Sequence, residues 1–201
     1  MFNLPENCEV NKFVPKKVFY EKISFSTTIK DEFVNLVDKI VWKYKISEDT
    51  LGINKTDKIE EIQVFEINLK EKKFPKNILK VITKAIPYPI LFVIYYKENI
   101  CYSIKVDDIY FTDWNEDINI SFSGLNLENI YENIVKSIIK ENETKKDFET
   151  LIEDKKKEIE LSKKLDQLKN KIKLEKQFNK KVELNKQIKE IEKELEVVLN
   201  G

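Results

Sequence analysis

The chain contains no histidine and no arginine, and all 36 of its basic residues are lysine. Without histidine, Ser-His-Asp and Cys-His nucleophilic catalysis, His-ligated zinc and imidazole proton transfer are closed to this chain. Without arginine it has no arginine finger and no bidentate guanidinium reading of guanine or phosphate. Only 3 glycines and 5 prolines occur in 201 residues, which argues against a loop-rich or all-β architecture. No Gly-rich phosphate loop and no G-x-G-x-x-G is present, so nucleotide binding has no support. The two cysteines, Cys8 and Cys101, are too few for a metal cluster. Cys101 sits in a strand-like run and reads as a small buried apolar residue, while a Cys8–Cys101 disulfide stays open. No apolar run reaches membrane-span length and the first residues lack an apolar signal core, so a cytoplasmic protein with no membrane partner is expected.

What is present is a hydrophobic fraction of 41% beside a charged fraction of 36% and a formal net charge of zero. That neutrality is a sum of unlike parts. Residues 1–106 hold 18 Lys against 14 acids, residues 107–150 hold 4 against 11, and residues 151–201 hold 14 against 11. Within the last section, residues 161–190 carry 10 Lys against 4 acids. The middle is therefore acidic and the C-terminal section basic.

The densest apolar run is Ile86–Val106, with strand-like segments Ile90–Tyr96 and Ile100–Val106 around a polar Lys-Glu-Asn connection. This predicts a β-hairpin at the core of the sheet. Upstream, residues 1–22 read as an irregular arm with a lysine cluster (Lys12, Lys16, Lys17, Lys22) among aromatics. Such interleaving suits either single-stranded nucleic acid or simple packing on the core. Ser26–Thr28 supplies N-cap candidates for a helix over 29–44, because Phe33, Leu36, Val37, Ile40, Val41 and Tyr44 keep 3-4 spacing. Lys58–Leu69 alternates as a strand whose Phe65, Ile67 and Leu69 face inward. A helix over 75–86, a short strand over 108–112 and a helix after Gly124 complete an α-β-α-β-β-(β)-α order. The fold class is thus mixed α/β (α+β): a central mixed sheet flanked by helices. After Ile139 the composition changes, and two a/d-spaced stretches out of register predict a coiled coil or a helical hairpin turning near residues 177–179. The expected domains are a body over 1–142 and a charged helical arm over 143–201.

Seven segments carry a resemblance: FNLPENCEVNKFVPKKVFYEK, VWKYKIS, EEIQVFEINLK, AIPYPILFVI, FTDW, GLNLENIYENIV and EKQFNKKVELN. Together they resemble the prokaryotic family called domain of unknown function 4391. The resemblance implies no reaction, cofactor or catalytic residue. It does imply a genomic setting beside helicases and DNA methyltransferases, in restriction-like or antiviral clusters.

Three functional readings follow. In the leading one, the chain is a non-catalytic subunit that binds a protein partner or itself through the arm residues Leu165, Leu168, Ile172, Phe178, Leu184, Ile188, Ile191 and Leu195, with no cofactor. The second is a Mg²⁺-dependent nuclease built from Glu60, Glu66, Lys70 and Asp113. The third is a DNA- or RNA-binding module using Lys163, Lys164, Lys169, Lys171, Lys173, Lys176, Lys180 and Lys181. No residue set points to a resident metal. Tyr88, between two prolines, and Trp114 read first as buried aromatic anchors, with the lining of a groove near the strand ends as the alternative.

Overall fold

The computed structural model describes residues 2–22, 26–141 and 146–200. They fall into two compact units, Met1–Thr144 and Lys145–Gly201. The boundary expected between residues 142 and 143 lies outside the described residues.

The first unit is a six-stranded sheet whose spatial order repeats the chain order, β1-β2-β3-β4-β5-β6. The strands are β1 (Glu9–Phe13), β2 (Val37–Ser47), β3 (Glu61–Leu69), β4 (Ile90–Tyr96), β5 (Asn99–Lys105) and β6 (Ile109–Phe111). All neighbours are antiparallel except β3 and β4, which run parallel across a helical crossover. The expected hairpin is β4–β5, and its connection places Lys97 in the left-handed region at φ 53 where glycine would be unstrained.

Helices α1 (Lys17–Lys22), α2 (Thr27–Leu36) and α4 (Lys76–Ala85) cover one face; α3 (Glu48–Leu51) is a single turn after β2. On that face Phe19, Phe33, Leu36, Ile78, Leu79 and Ile82 pack against Phe65, Ile67, Phe92, Ile94, Cys101 and Ile109. Each such side chain, fully buried, contributes about 1.5–3 kcal/mol. The opposite face carries Val64, Leu91 and Ile104 in one cross-strand row. Helix α5 (Leu127–Ile139) packs on β3, β5 and β6, burying Ile130, Ile134 and Ile138. Both faces of β3 are therefore covered near its start, and Ile62 and Val64 are as buried as Phe65 and Ile67.

Local chemistry explains the boundaries. Ser26 accepts from the Ile29 N–H at the start of α2, Asn126 from Asn129 at α5, and Ser47 with Thr50 forms a capping box at α3. Gly52 ends α3 at φ 73, a conformation that costs glycine nothing.

Two expectations are corrected here. The helix over 29–44 stops at Leu36, and the chain passes straight into the eleven-residue strand β2. The residues from Val37 on are mostly β-branched or aromatic and favour a strand. Register shifts at Val37/Lys39 and Trp42/Tyr44 insert extra residues, so the buried positions 37, 40, 44 and 46 imitate helical spacing. The irregular N-terminal arm contains a real edge strand, β1, with its own register shift and Asn11 at φ 50. The element order accordingly begins with a strand and gains one at 37–47.

The second unit is a helical hairpin, α6 (Phe148–Leu174) and α7 (Phe178–Asn200). Leu161, Leu168, Ile188 and Ile191 are buried in its seam, flanked by Leu165, Ile172, Leu184, Leu195 and Val198. The break falls at residues 175–177, just before the expected turn. There the Glu175 carboxylate accepts from the N–H groups of Lys176 and Gln177, both at 2.8 Å, and these bonds hold its pKa below the ordinary range.

Candidate functional site

The four residues of the nuclease reading are not brought together. Glu60 is exposed just before β3, about 20 Å along the strand direction from Glu66 at six residues' separation. Asp113 follows β6, three strand spacings or about 14 Å from β3, and its side chain is 84% exposed beside Lys140 at 3.4 Å. Glu116 and Asp113 together hold the Lys140 ammonium above its usual pKa. Lys70 is committed elsewhere. Its Nζ donates to the Val34 carbonyl at 2.8 Å, at the C-terminal end of α2, and its N–H donates to the Leu36 carbonyl. Lys16 donates to the Val37 carbonyl beside it. Burial, then the like charge of Lys70, pushes the Lys16 pKa down. Two ammonium groups thus satisfy the open carbonyls of that helix end. Among the described residues no group of three or more His, Cys, Asp or Glu could hold a metal ion.

Glu66 has a different set of neighbours. It lies mid-strand on the face that α5 shares. Val93 and Tyr102 lie in the same cross-strand row, Tyr95 is one step along β4, and Tyr44 stands beside Val64 on β2. Tyr44 is only 3% exposed, yet its hydroxyl has no hydrogen-bond partner among the described residues. Glu66, partly buried, likewise has neither an ion pair nor a hydrogen bond there. Burial first, and then the charge of Glu66, push the Tyr95 hydroxyl up to about 12, with Tyr102 and Tyr44 adding to the shift. Tyr44 is raised by burial, then by Glu9 and Glu66. The ring of Phe2 lies between Tyr44 and Tyr102, 6.4 Å from the first and 6.2 Å from the second.

The arm residues divide by role. Leu165, Leu168, Ile172, Leu184, Ile188, Ile191 and Leu195 all face the seam, so they join α6 to α7 within the chain. Phe178 does not: it is 77% exposed at the hairpin tip, near Leu174 at 82%. Around that tip Lys171, Lys173, Lys176 and Lys180 are exposed and Lys181 partly so. Lys163, Lys164 and Lys169 lie exposed further down α6, with Lys169 paired across the seam to Glu192 at 3.0 Å.

A family model described as Domain of unknown function (DUF4391) matches residues 2–195. The chain belongs to this family. No curated protein and no solved structure matches it. Membership brings no assigned reaction, and the chemistry must be read from this chain's own residues. No helix of the described residues is long and apolar enough to cross a membrane.

Tyr88 and Trp114 belong to separate surfaces. Tyr88 lines an apolar groove of about 410 Å³ with Phe13, Val14, Trp42, Phe65 and Pro87, and Lys12 stands at its edge. Trp114 stacks on Phe74 at 5.6 Å with the Lys72 ammonium 5.7 Å from its ring. The side chain of Lys22 in the N-terminal cluster lies outside the described residues. Cys8 and Cys101 are both free and buried, and burial raises the Cys101 thiol to about 12. Sequence reasoning missed the tyrosines around Glu66, because Tyr44 was assigned to a helix and a lone strand carboxylate carries no spacing signal.

Proposed function

We propose that the protein is a non-catalytic interaction subunit whose α/β body carries a helical hairpin that docks on a partner by its tip. One observation carries this reading: the apolar seam is satisfied within the chain, while Leu174 and Phe178 stand exposed among lysines at the turn. An exposed aromatic and a leucine inside a basic rim have the make-up of a small anchor with a steering charge. The partner is then acidic around an apolar pocket. The restriction-like setting implied by the family resemblance makes a helicase or a DNA methyltransferase the first to co-express. Co-purification should survive with wild-type chain and be lost with the Leu174→Ser/Phe178→Ser double variant, whose seam is untouched. Binding unchanged by that variant refutes the proposal.

The excess of ten lysines over four acids in residues 161–190 favours a second reading, binding to DNA or RNA along the same hairpin. Its affinity would fall steeply with salt, and Lys171→Gln with Lys180→Gln would lower the salt slope by about 2. Binding that ignores salt removes this reading.

A further inference from the structure

The geometry points to a binding site for an organic cation, a guanidinium or alkylammonium head group, on the Glu66 face of the sheet, held by the Glu66 carboxylate within a wall of Tyr44, Tyr95, Tyr102 and Phe2. The inference concerns the body and is independent of the hairpin reading.

The first support is a charge without a partner. Glu66 occupies the middle of an inner strand, partly buried, in a chain with 36 lysines, and none of the described ones pairs with it. A carboxylate at a partly buried position loses part of its hydration, and a cation beside it offsets that loss. The second support is the Tyr44 hydroxyl, on a side chain 3% exposed and without a hydrogen-bond partner among the described residues. Buried polar groups are nearly always satisfied, and an unsatisfied one calls for a missing partner. The strand register settles where these groups meet. Tyr44 and Tyr95 lie diagonally on either side of Glu66, one strand away each, and Tyr102 lies in its own row two strands away. Diagonal neighbours on a sheet face are within reach of tyrosine side chains.

The class of ligand follows from what these groups offer. Aromatic faces attract a cation, and a carboxylate supplies the counter-charge and accepts its N–H donors. A second carboxylate, Glu9, lies across from Tyr44 on β1 and adds to the negative field. The chain's own Lys43 reaches the Tyr44 ring, at 5.9 Å, but makes no ion pair with Glu66. An anion is repelled by the two carboxylates. A hard metal ion would find Glu66, Glu9 on the far side of Tyr44, and tyrosine hydroxyls that burial keeps protonated, a poor set of donors. Tyr95, Tyr102 and Glu66 are all partly exposed, so the site opens to solvent.

The test uses the full chain and three small probes: methylguanidinium, n-propylammonium and methylurea, the last a neutral isostere of the first. Binding is read from the ring resonances of the tyrosines by NMR. One or both cations should shift Tyr44, Tyr95 and Tyr102 together, and methylurea should not. Glu66→Gln should weaken the cation by about tenfold or more while circular dichroism and thermal midpoint show an intact fold. Tyr95→Phe, which keeps the ring and removes the hydroxyl, should weaken it less. A blocked arginine tripeptide distinguishes the source: affinity equal to methylguanidinium means the site accepts a side chain on a protein, and exclusion of the peptide means a free small cation. The inference is overturned if neither cation moves these rings at millimolar concentration. It is equally overturned if methylurea binds as well, or if Glu66→Gln leaves the affinity unchanged.

Discussion

Leu168→Ala tests the closure of the hairpin on itself. Leu168 is 8% exposed in the seam, between Leu161 and Ile172 on α6 and opposite α7. Truncation removes three buried carbons at about 0.8 kcal/mol each, or about 2.4 kcal/mol. A two-helix pair is open at its sides, so it relaxes around the gap and the cavity adds little; the loss belongs at the low end of the range for leucine in a core. That energy raises the population of the opened hairpin about fiftyfold. Cleavage by a lysine-specific protease after Lys163, Lys164 and Lys169, followed by fragment mass, reads this directly, because these are exposed side chains on a helical backbone that is cut only after local opening. When opening and closing are fast, the cleavage rate follows the opened population and should rise by the same factor. Val197→Ala provides the control, since Val197 is 72% exposed and contributes nothing to the seam. Equal cleavage of wild-type, Leu168→Ala and Val197→Ala chains would show that α6 and α7 do not hold each other, and the reasoning would be wrong.

Three further outcomes are expected. Asp108 receives Lys76 at 2.5 Å and Lys80 at 3.0 Å; burial opposes its ionisation, but the two lysines outweigh that and hold its carboxyl below the ordinary range. Its side chain is 41% exposed, so screening limits the effect of Asp108→Asn to about 1 kcal/mol at neutral pH. Because the folded pKa is the lower one, this contribution is complete above the ordinary carboxylate range and disappears as pH falls through the folded value. Urea denaturation from neutral pH to about pH 2 should show the wild-type advantage shrinking in acid, and a constant gap would contradict the assignment. Gly124→Ala places a Cβ 3.0 Å from both Asn129 Cβ and the Ile130 backbone nitrogen at the entry to α5. It should cost about 1–3 kcal/mol in the same assay, and a neutral result would mean that the turn shifts freely. Both thiols should resist iodoacetamide in the folded chain and react in denaturant, with Cys101 the slower because burial raises it to about 12; rapid labelling of native Cys101 would show that β5 is not held in the core.

How much of this was legible in the sequence depended on whether a single period ran the length of an element. Strand β3, helices α4 and α5 and each stretch of the hairpin keep one period along their length, β4 and β5 stand out as dense apolar runs, and their positions were readable. The 29–44 segment was not, because two register shifts in β2 convert a period of two into spacings of three and four. Lys16 belonged to a basic cluster and Lys70 to the nuclease set until the fold brought the end of α2 to them. The separation of Glu66 from Asp113 is a count of strands, and strand order is absent from local spacing. Conversely, the meeting of Glu66 with three tyrosines depends on registers across four strands, which no linear motif encodes.

The sheet lists its strands in the order in which the chain supplies them. No strand has to be threaded between two that are already paired, so during synthesis each newly exposed segment can add to the edge left by the one before. Every pairing joins successive strands, and only β1–β2, through α1 and α2, and β3–β4, through α4, span a connection with longer helices, which keeps loop-closure costs low. The last addition, β6, is three residues long and presents little free edge once made. A nascent chain interrupted before β6 would therefore carry a nearly finished sheet with β5 as its open edge, the state most exposed to pairing with a neighbouring copy.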